Sequence, residues 1–291
     1  MPAYKTHSIH AELIRPKINS KIEINEEDMK MFAIGPDILL ATDYKTFNYQ
    51  HNHKVRDYFM NLLKIIKEDK LYNHREVMAY LYGQLDHYVL DVVVHPLIYY
   101  MTEKAPKRHL LDMHALLELG IDEYMMDRYG KELADYYKKN GIRTFELRRT
   151  INSLYKIVYG KENESKRYTL GIKSINILEK YIRRSNIVSF LQEFLNVGSV
   201  VYSKNYNSVI GYLNLTHELI NNPVTGEKFK DSFDDLWKKS FDIALQTFDD
   251  VNGFLYNDFS IHNALIRNDV SYNTSLPCSV PENFAFAKKY K

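Results

Sequence analysis

The sequence predicts an all-α fold, a bundle of several helices. Glycine and proline are scarce, with 11 and 8 residues in a chain of 291, and few breakers favour long helices. Apolar residues make up 45% of the chain, enough for a sizeable core. In most segments they recur every three to four positions, as in an amphipathic helix. We therefore expect helices to supply both the core and any functional site.

The domain organisation follows from length and composition. We expect residues 1–270 to form a single all-α domain, because no low-complexity linker divides them. Residues 271–291 are polar and rich in turn-forming types, and we expect them to form a loosely structured tail.

Charge and cysteine content exclude several classes of protein. Lys and Arg number 39 and Asp and Glu 37, and this near balance argues against bulk electrostatic capture of nucleic acid. The single cysteine, Cys278, excludes an intrachain disulfide and a zinc site built on thiolates. The sequence contains neither a signal-peptide pattern nor an apolar run of transmembrane length, so we expect a soluble, cytoplasmic protein.

The first quarter of the chain predicts short elements. A short helix is expected over residues 8–13, stopping near Pro16. Gly35 and Pro36 force a turn or a helix start, which places Asp37 in a first helical turn, where a carboxylate is favoured. A loop is expected over residues 45–53.

Longer helices follow. Apolar spacing predicts an amphipathic helix over residues 55–67 and a longer one over residues 75–94. The longer helix should end at His95, because Pro96 disfavours helical geometry in the residue before it. A further helix is expected over residues 110–129. The second half predicts a loop at 221–226 and helices over 144–160, 172–194, 208–220 and 232–255.

Five ligand-type side chains fall within 32 residues at helical spacing. His87, Asp91 and His95 follow one another at four-residue steps, as do His114 and Glu118. Each step turns a helix by about 400°, so the members of a set share one face. Isolated buried polar groups are costly, so imidazoles and carboxylates on an otherwise apolar face predict a metal site.

The residue types narrow the choice of metal. Histidine and carboxylate ligands without thiols suit zinc in a catalytic setting, although manganese, iron or nickel can also bind such sets. A carboxylate-bridged di-iron bundle uses Glu three residues before His, and no histidine here has that neighbour. The simpler alternative is a helix face with incidental polar residues.

An ordered set of short motifs resembles the zinc-dependent phospholipase C family, which shares its fold with single-strand-specific zinc nucleases. The motifs span about the first 125 residues, and each alone is modest. In chain order they are MPAYKTH (1–7), GPDIL (35–39), His51 ahead of RDYF (56–59), AYLYGQLDHYVLD (79–91), His95-Pro96, HALLE (114–118) and Ile121-Asp122.

The resemblance implies a cluster of two or three Zn²⁺ ions at the bottom of a cleft between the helices. The implied ligands of a first zinc are Asp37, His51, His87 and Asp91. The implied ligands of a second zinc are His95, His114 and Glu118. Asp91 would bridge to a third zinc that His7 also binds, and Asp37 would be the catalytic base or orienting group.

The N-terminus departs from the pattern of the secreted family members, in which an N-terminal Trp holds the third zinc. This chain begins Met-Pro, and its only tryptophan is Trp237. A site with two zinc ions remains chemically adequate. Two ligand assignments stay open at this point: His10 is an alternative to His7, and His53 is an alternative to His51.

The implied function is that of a hydrolase, a zinc-dependent phosphoesterase that cleaves a phosphodiester or phosphomonoester with a zinc-activated water. A phospholipid headgroup linkage is one such substrate, and nucleic acid is less favoured because the net charge is only +2. The alternatives are a zinc nuclease and a non-catalytic protein whose helices zinc stabilises.

Overall fold

The computed structural model describes residues 4–105, 113–132, 141–178 and 207–290. These residues are predominantly α-helical, and the only paired strands among them form one short hairpin, so the all-α prediction is confirmed. The predicted helix start at residue 110 and the end of the predicted 172–194 helix lie outside the described residues.

The helices are numbered in chain order. They are α1 (Tyr4–Ile14), α2 (Glu26–Phe32), α3 (Tyr44–Asn52), α4 (Val55–Glu68), α5 (Arg75–Thr102), α6 (Met113–Arg128), α7 (Phe145–Tyr159), α8 (Glu164–Ile177), α9 (Asn207–Ile210), α10 (Phe233–Asn257) and α11 (Ala264–Arg267). Short 3₁₀ turns are Arg15–Lys17, Gly35–Leu39 and Leu71–Asn73. The strands β1 (Ile220–Asn221) and β2 (Lys228–Phe229) pair antiparallel around the predicted 221–226 loop.

Helix α5 is the centre of the fold. It packs against α1, α2, α6 and α10, and most of its residues are buried on every side. Such a helix, apolar nearly all round, belongs in a core rather than on a surface. It borders two apolar clusters, one with α2, α4 and α7 and the other with α1, α6 and α10. Polar groups on α5 are therefore enclosed from several directions.

Several predicted helices are confirmed at nearly their expected bounds. Helix α4 matches residues 55–67, and α7 matches 144–160 with Thr144 and Gly160 as its caps. Helix α10 matches 232–255 and begins with a capping box between Ser232 and Asp235. The 3₁₀ turn Gly35–Leu39 places Asp37 in a first turn, as expected.

The prediction that the long helix ends at His95 is wrong, because α5 continues through Pro96 to Thr102. A proline inside a helix lacks the N–H that would pair with the carbonyl four residues earlier, here that of Val92. The hydroxyl of Ser275 donates a hydrogen bond to the Val92 carbonyl instead. A distant segment thus replaces the missing helical donor.

The prediction of a loop at residues 45–53 is also wrong, since residues 45–52 lie in α3 and only His53 follows its end. The Asp43 carboxylate caps the helix by accepting the Thr46 N–H at 3.1 Å and the Thr46 hydroxyl at 2.8 Å. Helix α3 has little apolar content, so its periodic signal is weak. Helix α1 is likewise longer than the expected residues 8–13, and α8 begins before residue 172.

The predicted 208–220 helix is wrong beyond its first turn. Helix α9 ends at Ile210, and Asn214 has a left-handed backbone with φ of 51°. The Asn214 carboxamide donates to the carbonyls of Glu218, Lys230 and Asp231, at 3.1 to 3.3 Å. These side-chain bonds favour a turn over a helix at this position.

Residues 271–290 follow α11 as turns and bends, with one isolated bridge pair between Val270 and Pro277. Ser271, Tyr272 and Thr274 are nevertheless buried. The division at residue 270 stays a prediction. Within the described ranges, no helix combines the length and apolar character needed to cross a bilayer.

The hydrogen bond from Ser275 to α5 predicts that the effect of replacing Ser275 on stability depends on Pro96. Ser275→Ala should lower the free energy of unfolding by about 1–2 kcal/mol, because the Val92 carbonyl loses its donor. The same change in a Pro96→Ala background should cost less than half as much, since alanine restores the helical N–H. Urea denaturation of the wild type, the two single variants and the double variant measures the free energy lost on Ser275→Ala in each background.

Ser174→Ala is the matched control, because the Ser174 hydroxyl bonds the Leu170 carbonyl on an exposed helix surface. It should change stability by no more than about 0.5 kcal/mol. An equal cost of Ser275→Ala in both backgrounds would contradict the proposed compensation.

Candidate metal centre

The structure brings together all eight side chains that the sequence singled out. They come from five elements: α1, the Gly35–Leu39 turn, α3, α5 and α6. All are buried except His114, which is partly exposed. They form three groups with ligand atoms close enough to hold a metal ion, of which the first two share His87: Asp37, His51 and His87; His7, His87 and Asp91; His95, His114 and Glu118.

The first group surrounds the Asp37 carboxylate. His51 Nε2 lies 3.2 Å from Asp37 Oδ1, and His87 Nε2 lies 3.8 Å from Asp37 Oδ2. Both oxygens of one carboxylate therefore face imidazole nitrogens from separate helices. Such an arrangement of one oxygen and two nitrogen donors is typical of zinc and other divalent metal sites.

The second group surrounds Asp91 on α5. His87 Nε2, one helical turn earlier, lies 3.0 Å from Asp91 Oδ2, and His7 Nε2 lies 3.2 Å from Asp91 Oδ1. The rings of His7 and His87 stack with their centroids 4.1 Å apart. His87 thus contacts both Asp37 and Asp91, which joins the first two groups.

The third group surrounds Glu118 on α6. Glu118 Oε1 lies 3.0 Å from His114 Nε2 and 3.4 Å from His95 Nε2. His95 Nε2 also lies 3.7 Å from Asp91 Oδ1. Asp91 therefore faces histidines of both the second and the third group.

Backbone carbonyls fix the orientation of three histidine rings. The Nδ1 of His51 lies 2.8 Å from the Phe47 carbonyl, and the Nδ1 of His87 lies 3.0 Å from the Ala33 carbonyl. The Nδ1 of His95 lies 2.9 Å from the carbonyl of Tyr272. A carbonyl only accepts, so each Nδ1 carries the proton and donates it. In a neutral ring, Nε2 then points into the site with a lone pair.

Buried atoms without hydrogen-bond partners lie in the same place. Among the described residues, Asp37 Oδ2 and His87 Nε2 have no hydrogen-bond partner although both are buried. A lone pair on Nε2 facing a carboxylate oxygen requires a cation between them, either a proton or a metal ion. The residues present therefore fit a metal cluster with nitrogen and oxygen ligands, the donor set of catalytic zinc sites.

The pKa values of His7 and His95 lie above their ordinary value. Burial by itself lowers the pKa of each ring, because it disfavours the charged form. The Asp91 carboxylate outweighs burial at His7, and Asp91 together with Glu118 raises the pKa of His95 to about 9. Nearby carboxylates therefore favour the protonated form of both rings, as they would favour a bound metal ion.

Asp91 and Glu118 stay ionised. Burial by itself raises the pKa of each carboxyl, but His87 and its neighbours hold the pKa of Asp91 well below its usual range. His114, followed by His95, does the same for the pKa of Glu118. Buried carboxylates held in the charged form are suited to binding a divalent cation.

Helix α1 is held against α6 next to His7. The backbone N–H and the hydroxyl of Thr6 both donate to Asp122 Oδ1 at 2.8 Å. Because Thr6 precedes His7, this pair of bonds sets the position of His7 relative to α6. Asp122 belongs to one of the motifs on which the family resemblance rests, and its place in the structure is that of an anchor for α1.

The two alternative histidines lie in different environments. Both ring nitrogens of His10 are engaged, with Asp86 Oδ1 at 2.7 Å and Ser240 Oγ at 2.8 Å. His53 is exposed, and its ring packs against Tyr49. The structure therefore brings His7 beside Asp91 and His51 beside Asp37, whereas His10 pairs with Asp86 and His53 is exposed.

The His10–Asp86–Ser240 cluster has the composition of a hydrolase triad but not the access. All three side chains are fully buried, and the Ser240 hydroxyl donates to the Trp237 carbonyl at 2.7 Å. A nucleophilic serine must be reached by substrate. This cluster therefore links α1, α5 and α10 as a structural network.

A small cavity adjoins the second and third groups. Its volume is about 20 Å³, the size of a single water molecule or ion. His7, Asp91, His95 and Glu118 line it together with apolar residues of α5, α6 and α10, including Phe233. The predicted cleft above the cluster stays a prediction.

Sequence reasoning missed the groups that orient the ligands. The carbonyls of Phe47, Ala33 and Tyr272 hold three of the rings. Phe47 precedes His51 by one helical turn, so its contact follows once α3 is known to be helical. Ala33 and Tyr272 are distant in sequence from their histidines. Because every residue has a backbone carbonyl, the sequence cannot show which carbonyls contact the rings.

Gly35 has two reasons to lack a side chain. Its φ is 66°, in the left-handed region that favours glycine, and a Cβ there would lie 2.3 Å from the His87 ring. The close approach lets the 3₁₀ turn bring Asp37 against His87. The glycine is therefore part of the geometry of the first group.

Comparison with known proteins supports a metal centre. A family model described as zinc dependent phospholipase C matches residues 2–206, more than half of the chain. All eight side chains of the centre lie within the matched range. No curated protein and no solved structure matches the chain.

Gly35→Ala predicts a loss of both stability and metal binding. The left-handed φ costs about 1–2 kcal/mol in any residue with a Cβ, and the clash with His87 adds about 1–3 kcal/mol. Displacing the His87 ring should also weaken zinc binding. Chemical denaturation and zinc titration in the presence of a competing chelator measure the two effects.

Gly160→Ala is the matched control, since Gly160 has the same φ of 66° and no atom of the described residues lies within 4 Å of the place that its Cβ would take. Its stability should fall only by the cost of the left-handed φ, and it should bind zinc as the wild type does. Equal losses of stability in the two variants would contradict the role given to Gly35.

Proposed function

Because the chain belongs to the zinc-dependent phospholipase C family, we propose that it is a zinc-dependent phosphoesterase, hydrolysing a phosphate ester with a zinc-activated water. The observation that carries the proposal is the packing of buried imidazole Nε2 atoms against carboxylate oxygens, with each of three rings already donating from Nδ1. That arrangement needs cations, and the family is one that depends on zinc.

The proposed zinc ligands form two sets and a shared residue. A first ion would be held by Asp37, His51, His87 and Asp91. A second ion would be held by His95, His114 and Glu118. Asp91 would also serve a third ion with His7, which is supported by the 3.2 Å contact between these two side chains. The chain would thus hold two or three zinc ions.

The residues of the metal centre would have different roles in hydrolysis. Bound zinc supplies an activated water at neutral pH and neutralises phosphate charge. Asp37 Oδ2 is buried and lacks a hydrogen-bond donor among the described residues, which supports Asp37 as the base that would accept a proton from the attacking water. His51 Nε2 lies 3.2 Å from Asp37 Oδ1, which supports these two side chains as ligands of the same ion. The carbonyls on Nδ1 keep the rings from turning away.

The favoured substrates are phosphate diesters, including phospholipids, since the family is named for phospholipase C activity. Nucleic acid is less favoured, because 39 basic residues are offset by 37 acidic ones. A cytoplasmic location is the corresponding proposal for the compartment. A purely structural role for zinc would call for closed coordination without a place for water.

Hydrolysis and metal content test the proposal together. Zinc per chain is measured by mass spectrometry, and turnover is measured on bis(p-nitrophenyl) phosphate, a short-chain phosphatidylcholine and a single-stranded oligonucleotide. We expect at least two zinc ions, and hydrolysis of the first two substrates. Asp91→Asn and Glu118→Gln should each reduce turnover by at least about 100-fold, since loss of even an outer-shell partner costs about 10–100-fold.

Asp69→Asn and Glu162→Gln are the matched controls, because these exposed carboxylates pair with Arg149 and Lys156 at the surface. Both should retain full activity. Zinc binding without turnover of any phosphoester would support the structural role instead. Cleavage of the oligonucleotide alone would support the nuclease.

Proton release on metal binding is a further expectation. With a pKa of about 9, His95 is protonated at pH 7 in the metal-free protein, and zinc binds only the deprotonated nitrogen. Zinc loading should therefore release protons at pH 7 and weaken as the pH falls. Titration calorimetry in two buffers of different ionisation enthalpy should give different heats, and identical heats would contradict the expectation.

A further inference from the structure

The C-terminal segment, defined as residues 271–290, lies against the metal centre. It contains no helix or named strand, and it lies outside the range matched by the family model. Its residues nevertheless contact two of the elements that carry proposed ligands, α3 and α5. The contacts begin beside His51 and continue along α5.

Tyr272 contacts histidines of two ligand groups. Its N–H donates to the His51 carbonyl at 3.0 Å, and its own carbonyl accepts from His95 Nδ1 at 2.9 Å. Its ring lies 5.0 Å from the His51 ring and 5.9 Å from the His87 ring, measured between centroids. One buried residue thus connects α3 with two positions on α5.

The residues around Tyr272 fix the segment to α3. The Ser271 hydroxyl donates to Asn52 Oδ1 at 2.8 Å, and Asn273 Nδ2 donates to the same oxygen at 3.1 Å. Asn52 is the last residue of α3, directly after His51. These bonds hold both sides of Tyr272 and so limit its movement relative to His51.

The rest of the segment follows α5 beyond His95. Ser275 donates to the carbonyl that Pro96 leaves without a helical partner, and the backbone N–H of Lys288 donates to the Tyr100 carbonyl at 2.8 Å. Phe284 stacks on Tyr99 with centroids 4.5 Å apart and an interplanar angle of 9°. Tyr99 in turn lies 4.5 Å from the His114 ring. The segment therefore reaches the third ligand group as well.

We propose that the C-terminal segment completes the metal centre and that Tyr272 is a positioning residue for His51 and His95. The proposal rests on the proposed function, in which these histidines bind zinc. Loss of the group that holds the far nitrogen of a ligand histidine typically costs about 10–100-fold in metal affinity. The Tyr272 carbonyl is that group for His95.

Packing of the Tyr272 ring holds the backbone of this residue in place, and the Tyr272 hydroxyl does not contribute to that packing. The ring is fully buried and packs on Tyr88 at 4.6 Å as well as on the two histidines. Its hydroxyl is buried without a hydrogen-bond partner among the described residues. Removing only the hydroxyl should therefore leave metal binding intact, whereas removing the ring should release the backbone.

Three variants separate positioning from general stability. Tyr272→Ala should weaken zinc binding by about 10–100-fold and alter the visible absorption spectrum of the cobalt-substituted protein. Tyr272→Phe should match the wild type in both measurements. Tyr82→Ala is the matched control, because Tyr82 is equally buried but contacts Asn252 and Phe248. It should lower the melting temperature while keeping the affinity and the spectrum.

Hydrogen exchange on the wild-type protein tests the proposal without any substitution. If the segment holds the zinc ligands, zinc must in turn stabilise the segment, since the coupling is reciprocal. Removing zinc with a chelator should speed amide exchange in residues 271–275, which include the Tyr272 N–H. Exchange in the hairpin of residues 220–229 should not change.

The outcomes distinguish this proposal from the proposed function. A wild-type protein that binds no zinc would overturn the proposed function and this inference with it. Zinc binding that is equal in wild type and folded Tyr272→Ala would overturn the inference alone. The inference also fails if zinc removal leaves exchange of residues 271–275 unchanged, and that measurement decides the matter if Tyr272→Ala does not fold.

Discussion

The structure depends on one electrostatic constraint, the burial of carboxylates face to face with the acceptor nitrogens of histidines. Asp91 is the clearest case, with Nε2 atoms of His7, His87 and His95 within 3.2, 3.0 and 3.7 Å of its oxygens. Charges buried in this way are costly unless cations balance them. Protons can do so in the metal-free chain, and the family to which the chain belongs uses zinc.

The surrounding fold is arranged to keep these groups in place. Helix α5 supplies three of them at consecutive turns, and its burial on all sides excludes competing water. Backbone carbonyls then fix the rings: Phe47, one helical turn earlier, fixes His51, whereas Ala33 and Tyr272, far away in sequence, fix His87 and His95. The centre is therefore a product of long-range packing, even though most of its proposed ligands lie on three helices.

The ligand-type residues could be predicted from the sequence because their signal is local. Four-residue steps on an apolar helix face identify His87, Asp91 and His95 without any structure, and ordered motifs add Asp37 and His51. The helix bounds were harder where long-range contacts decide them. Helix α5 passes through Pro96 because Ser275 replaces a donor, and that contact joins residues 183 apart. Likewise the hydrogen bonds of Tyr272 to His51 and His95 are made by its backbone, which the sequence does not reveal.

The central claim is that the buried nitrogen and oxygen atoms hold zinc, and anomalous X-ray diffraction at the zinc absorption edge tests it most directly. Crystals grown with zinc should show two or three anomalous peaks, located between the carboxylate oxygens of Asp37, Asp91 and Glu118 and the facing Nε2 atoms. A map without peaks at these positions, from crystals in which the eight side chains are ordered, would contradict the account.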